Sequence, residues 1–256
     1  MSHLNVNLIK CLSDNYSYII FNPNSKKAII IDPAEANPLV DAITKLNLNL
    51  EYILITHHHQ DHVDGNLELK NKFNCNIVGF ADDSDRIPGI DIMIKDKEIF
   101  NFEGEEIELN FSPGHTSGHV FFYFRKNKYA FVGDVVFSLG CGRIFEGTVS
   151  DMYQSVLKVK SLPDEVKIFC GHEYTLGNLK FCLAFDENND HLKKRATEIK
   201  NLRNKGLPTV PSTILNEKQT NIFFRCNDKA ISRKLSLEGQ PPEKVFKKLR
   251  ELKDNF

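Results

Sequence analysis

Apolar and polar positions follow two different periods along the chain. Up to about Cys170, short apolar runs recur between turn residues: Ala28–Ile31, Tyr52–Ile55, Val120–Phe124 and Tyr129–Val132. Runs of this length bounded by Gly, Pro, Asn and Asp predict buried strands. Between them Leu39–Leu46, Asn66–Phe73 and Asp151–Leu162, the last stopped by Pro163, carry apolar residues at helical spacing. Strands interleaved with amphipathic helices predict an α/β layout in which helices pack on sheets.

Past Gly171 the period changes. Leu179, Phe181, Leu183, Leu192, Ile199, Leu202, Val245, Phe246 and Leu249 lie in Lys- and Arg-rich stretches of helical period. They predict a helical module over residues 174–256, behind a first domain over 1–173. Within the module, Gly206–Asn221 contains Pro208 and Pro211 and is expected to be an extended loop. No internal repeat interrupts this division.

Composition narrows the class. The 256 residues are 41% hydrophobic and 26% charged, with 14 Gly and 10 Pro, which excludes a disordered or fibrous chain. No apolar run approaches the roughly 18 residues of a membrane span, and MSHLNVNLIK has no signal-peptide core, so a cytoplasmic protein without a membrane partner is expected. Cys11, Cys75, Cys141, Cys170, Cys182 and Cys226 form no C-x-x-C pair, which argues against a disulfide framework or a cysteine zinc site. The net charge of -1 hides an asymmetry: residues 1–175 hold 16 Lys+Arg against 24 Asp+Glu, and residues 176–256 hold 17 against 10. A part at net -8 is therefore joined to a part at net +7, and the basic part suits an anionic ligand. Nothing calls for nucleic acid or for more than a monomer.

Seven of the nine histidines fall in three short stretches, each just after an expected strand. In the first, Thr56 to His62, residues His57 and His59 are two apart and can point the same way, with Asp61 and His62 at a neighbouring position. His58, at the odd position, faces away and is expected to pack or to hydrogen-bond. The second holds His115 at a strand end and His119 opening the next strand, where a supporting or packing role is expected. Asp134 follows the strand at Tyr129–Val132, and His172 follows the one at Lys167–Cys170. A carboxylate beyond a buried strand is costly unless paired or bound to metal, so Asp134 is a candidate to bridge two cations.

Imidazole and carboxylate donors without thiolate suit two divalent ions, zinc first, with iron or manganese also tolerated. His57, His59 and His115 would hold one ion and Asp61, His62 and His172 the other, with Asp134 shared. Two ions about 3.5–4 Å apart can hold a bridging hydroxide, and the chemistry they imply is hydrolysis. Asp32, which ends the strand at Ala28–Ile31, is expected to orient a ligand histidine.

The order His-x-His-x-Asp-His, then His115, Asp134 and His172, resembles the metallo-β-lactamase superfamily. That resemblance implies an αβ/βα four-layer sandwich with metals at the strand ends. THHHQDHVDGN, PGHTSGH, GDVVFSLGCGRIFEGT, CGHEYTLGNLKF and the terminal Arg250-x-x-Lys253-Asp254 are similar, over essentially the whole chain, to the glyoxalase II family of hydroxyacylglutathione hydrolases. The resemblance implies hydrolysis of S-D-lactoylglutathione to D-lactate and glutathione; the thioester carbonyl is expected to approach the ion of His57, His59 and His115. It also implies that Arg143, Tyr174, Arg250 and Lys253 hold the glutathione portion. Phe145 departs from the family, some of whose members have a tyrosine there that hydrogen-bonds the tripeptide. Other readings stand beside this one: a persulfide dioxygenase with one iron on His57, His59 and His115 or Asp134, a lactamase or nucleic-acid hydrolase, or a binding module with structural metal.

Overall fold

A computed structural model describes residues 3–256. It divides into two compact units, one of residues up to 111 with 118–133, the other of 112–117 with 134–256.

The first unit opens with β1 (Asn5–Cys11), β2 (Asn15–Phe21), β3 (Lys27–Ile31), α1 (Asn37–Leu46), β4 (Asn49–Leu54), α2 (Gln60–Val63), α3 (Asn66–Phe73), β5 (Asn76–Phe80) and β6 (Ile92–Ile94). These strands form one sheet in chain order, with β1, β2 and β3 antiparallel and β3 to β6 parallel. Parallel neighbours need crossovers, which α1 and α3 supply. Leu39, Val40 and Ile43 of α1 and Leu69 of α3 are buried in one cluster with Ala28, Ile30, Ile53 and Ile77. Burying each such side chain contributes about 1.5–3 kcal/mol.

Alternation sends Ile29 and Ile31 to the other face of that sheet. There the unit adds β7 (Ile99–Phe102), β8 (Glu105–Phe111), β9 (Val120–Phe124) and β10 (Tyr129–Gly133), an antiparallel meander. Aromatic rings lock the two sheets together: Tyr18 lies edge-on to Phe131 at 5.3 Å, Tyr52 to Phe100 at 4.9 Å, and Phe80 stacks on Phe111 at 5.0 Å. With both faces covered, β3 reads in sequence as a continuous apolar run.

The second unit holds β11 (Val136–Phe137), β12 (Gly140–Cys141), α4 (Val149–Lys160), β13 (Lys167–Cys170), α5 (Thr175–Phe185), α6 (Asp190–Asn204), β14 (Ser212–Thr213), α7 (Ile214–Thr220), α8 (Lys229–Lys234) and α9 (Pro242–Asp254). Thr148 and Asp151 close a capping box at the start of α4. Val245, Phe246 and Leu249 form the buried stripe of α9, and Phe246 meets Tyr153 at 5.2 Å and Phe223 at 5.7 Å.

One local expectation is corrected. Gly206–Asn221 is not extended throughout, because its second half forms β14 and α7. Thr213 caps α7 by accepting from the Asn216 amide, and Ile214, Glu217 and Thr220, three apart, are its buried residues. Both prolines precede the helix, where they break nothing. Ahead of α3, Asp61 and His62 ride on the single helical turn of α2.

The buried Glu217 is the hub of a polar network that fixes the β11–β12 hairpin. Its Oε2 accepts from the Leu139 amide at 2.8 Å and from Asn221 Nδ2 at 3.0 Å, and its Oε1 accepts from Ser212 Oγ. Asn221 also donates to the Gly140 carbonyl at 3.0 Å, and Arg195 donates to Ser138 Oγ and Ser212 Oγ. Leu139 sits at φ +62°, a conformation this network holds against its local cost.

Candidate metal centre

In the first unit the chemistry gathers where β3 and β4 end. Asp32 follows β3 at φ +49°, which turns its carboxylate back across the strand ends. Its Oδ1 accepts from the Thr56 amide at 2.8 Å, and its Oδ2 accepts from Thr56 Oγ1 at 2.6 Å and His62 Nδ1 at 3.1 Å. Since the Thr56 hydroxyl gives its proton to Asp32, its oxygen accepts from His57 Nδ1 at 3.0 Å. His57 Nε2 is thereby left as a lone pair, 3.2 Å from His59 Nδ1. His62 repeats the arrangement: with Nδ1 on Asp32, its Nε2 faces Asp61 Oδ2 at 3.8 Å. Asn15 holds Asp61 by donating to both its carbonyl and its Oδ2 at 3.0 Å. His119, fully buried, stacks on His57 with centroids 4.7 Å apart. Behind them Gly133 is required, because at φ +47° a Cβ there would come 2.5 Å from Thr56 Oγ1 and 2.8 Å from His119 Nε2.

The second unit carries a complementary set. His115 and His172 both aim Nε2 at the same oxygen, Asp134 Oδ2, at 3.4 and 3.3 Å. His115 donates from Nδ1 to the Arg143 carbonyl at 2.9 Å, so the nitrogen facing Asp134 is again a lone pair. Its loop is pinned to α4: Ser155 donates to the Pro113 carbonyl at 2.7 Å, and Gly114, at φ +137°, leaves no room for a Cβ beside the Met152 backbone at 2.6 Å. His172 stacks on Tyr174, 4.7 Å away and within 4° of parallel, and Tyr174 lies edge-on to Phe137.

Lone pairs of imidazoles and carboxylates turned toward one another repel unless a cation lies between them. For His57, His62 and His115 the far nitrogen is fixed by an acceptor, the arrangement that usually stands behind metal-ligating imidazoles. The donor sets therefore fit divalent metal.

Four further residues were expected to take the substrate. Tyr174 is 40% exposed beside His172, and the Arg143 side chain is open to solvent with its Nε 3.6 Å from Asp254 Oδ1. Arg250 is buried: Nη1 donates to the Cys141 carbonyl at 2.8 Å, and Nη2 and Nε donate to Asp254 at 2.8 and 3.1 Å. Part of its donor capacity thus positions the loop that leads into Arg143. Lys253 lies 5.5 Å from the Phe181 and Phe256 ring centroids. Partial burial, then Arg250 and to a lesser degree Arg143, push its ammonium below the ordinary lysine value. Arg143 and Arg250 thus share Asp254, while Lys253 Nζ donates to the Gly177 carbonyl at 3.3 Å. Phe145, largely exposed, meets His115 edge-on at 5.2 Å.

Sequence reasoning missed Asn15, Thr56 and Asp83, which hold the histidine stretch. Thr56 was visible as the residue before it; Asn15 and Asp83 carried no local signal.

Fold and donor set define a metal-dependent enzyme of the metallo-β-lactamase superfamily, whose model matches residues 12–172. Residues 173–256 match the hydroxyacylglutathione hydrolase C-terminus. A hydroxyacylglutathione hydrolase of Pelagibacter ubique (strain HTCC1062) is 47% identical over 99% of this chain and 100% of its own length. One from Rhizobium etli is 41% identical over the full length of both chains. This chain belongs to the hydroxyacylglutathione hydrolase family. Among solved structures, the B3 metallo-β-lactamase BLEG-1 superposes with a TM-score of 0.66 at 20% identity, covering 86% of this chain and 99% of that one, a likeness of fold. Among the described residues no helix is long and apolar enough to cross a membrane.

Proposed function

We propose that this enzyme hydrolyses S-D-lactoylglutathione and related 2-hydroxyacylglutathiones to the hydroxy acid and glutathione, the second step of methylglyoxal detoxification. The observation that carries the substrate is the sharing of the single carboxylate Asp254 by Arg143 and Arg250, with the Lys253 ammonium within electrostatic reach of all three. That leaves an excess of two positive charges, and a glutathione thioester brings two carboxylates. Residues 1–173 are the metal hydrolase domain in this reading, and 174–256 carry the glutathione site.

The metal reading takes two divalent ions, zinc by preference. His57, His59 and His115 are the ligands of one, Asp61, His62 and His172 of the other, and Asp134 is shared. Bound there, the ions supply an activated water and a Lewis acid for the thioester carbonyl. Asp32 keeps the His62 proton on Nδ1, and the Arg143 carbonyl does the same for His115, so both rings offer Nε2. Arg143 grips a carboxylate in a fixed plane, Lys253 adds a second positive charge, and Arg250 holds the loop that leads into Arg143. Tyr174 offers its hydroxyl and ring face to the peptide. A thiol leaves as an anion with a pKa of about 8.5, so no proton donor is required at the sulfur. The reading carries with it a cytoplasmic, monomeric enzyme with no nucleic-acid or membrane partner.

The test is loss of thioester absorbance with metal-analysed protein, comparing S-D-lactoylglutathione with the same acyl group on a thiol lacking glutathione's carboxylates. Turnover confined to the glutathione thioester, with about two ions per chain, supports the reading. Equal turnover of both removes the glutathione site, and no turnover of either by the metal-loaded protein removes the thioesterase.

A further inference from the structure

The middle histidine of the triple run has no place in the ligand set, yet it is among the most firmly held. His58 Nδ1 lies 3.2 Å from Asp83 Oδ2, and Arg86 Nη1 lies 3.4 Å from His58 Nε2. Arg86 Nε donates to Asp83 Oδ1 at 2.6 Å, closing a ring of three side chains. A guanidinium only donates, so His58 accepts at Nε2 and gives its Nδ1 proton to Asp83. The Asp83 carboxylate is fully buried. It belongs to a short helical turn, Ala81–Arg86, that follows β5.

We propose that Asp83 is a positioning residue that sets the direction of the metal-facing histidines His57 and His59 by anchoring His58 between them. The inference rests on the metal reading of those two histidines. The His58 ring lies edge-on to that of His59, with centroids 5.3 Å apart, so fixing His58 restrains the His59 ring directly and, through the backbone, the direction in which His57 leaves the chain. His59 sits at φ −57° and ψ 141°, and the facing nitrogens of His57 and His59 are 3.2 Å apart. A rotation of about 10° there moves a ring nitrogen by about 1 Å, a displacement that costs catalytic sites on the order of 100-fold.

Asp83 also braces the opposite flank. Its carboxyl group lies flush against Gly118, where any Cβ would overlap it. The next residue, His119, stacks on His57 at 4.7 Å. One buried carboxylate thus holds two segments whose neighbouring imidazoles are in contact.

The experiment measures zinc affinity of the full chain by competition with a chromophoric chelator, with turnover as a second readout. Outer partners of metal ligands are worth about 10- to 100-fold in affinity. His58→Phe and Asp83→Asn should each weaken zinc binding by that factor, and the double variant should be no weaker than the worse single one. His58→Asn places its amide nitrogen where Nδ1 stood and should recover affinity to within about threefold of the parent. His58→Gln, which imitates Nε2, should not recover it. This pair of amides, differing by one methylene, keeps the test decisive if the other changes fail to fold. Parental zinc affinity in both His58→Gln and Asp83→Asn overturns the proposal, as does equal loss in His58→Asn and His58→Gln. A parent chain that takes up no zinc overturns the metal reading itself, and is seen before any variant is compared.

Discussion

Replacing Glu217 with alanine tests whether the polar network under the β11–β12 hairpin holds the helical segments to it. The side chain has no exposed surface and accepts from Leu139 N at 2.8 Å, Asn221 Nδ2 at 3.0 Å and Ser212 Oγ. Alanine strands these donors and leaves Arg195, whose guanidinium lies 3.9 Å away, without its nearest buried counter-charge. A buried donor without a partner costs about 1–3 kcal/mol, and breaking a buried ion pair from one side about 3–5 kcal/mol. Asn221 retains the Gly140 carbonyl, so the costs overlap rather than add. The expected loss is about 3–5 kcal/mol in urea unfolding, or roughly 6–20 °C in Tm for a chain of this size. Glu217→Gln keeps one acceptor but turns an amide donor toward another donor, and should cost about 1–3 kcal/mol. Because the hairpin leads through Gly142 to Arg143, both variants should raise KM for a glutathione thioester more than they lower kcat. A loss below about 1 kcal/mol for Glu217→Ala would refute the reasoning, since no buried hub of this kind is that cheap to remove.

Three further outcomes are expected. Asp32→Ala removes the acceptor of His62 Nδ1 and of Thr56, and should weaken metal binding by about 10- to 100-fold; unchanged metal content after dialysis against a chelator would reject that role. Gly133→Ala sets a Cβ against Thr56 and His119 at positive φ and should cost about 2–4 kcal/mol of stability, read as a lowered urea midpoint. Lys253 is depressed below 10.5 by burial and by its cationic neighbours. Its ammonium is therefore a stability cost at neutral pH, relieved as pH rises through the depressed pKa toward the unfolded value. The same titration removes one cation from the substrate site while both arginines stay charged. KM for a glutathione thioester should rise with pH below 10.5, and Lys253→Met should flatten that rise; a flat profile in the parent would remove Lys253 from the site.

The residues that organise the centre differ in how visible they were. β3 and α3 could be read from the sequence because strands buried on both faces and amphipathic helices leave local periods. The triple-histidine run stood out because donor residues at alternating positions after a strand are rare without metal. Glu217 was hidden: two prolines upstream masked a short helix whose signal is three buried residues, one of them charged. Arg250 reads as an exposed helix end, yet α9 turns it inward onto Cys141 and Asp254.

Most strands and helices, and the donor types that follow each strand end, could be read along the chain, since these depend on neighbours within a turn or two. Which nitrogen of a histidine carries the proton came from the packing of distant segments. That is set by acceptors far along the chain, Asp32 for His62, the Arg143 carbonyl for His115 and Asp83 for His58. A hydrogen bond between residues tens of positions apart leaves no period to read, because it depends on where the packed sheets and helices bring the chain back together.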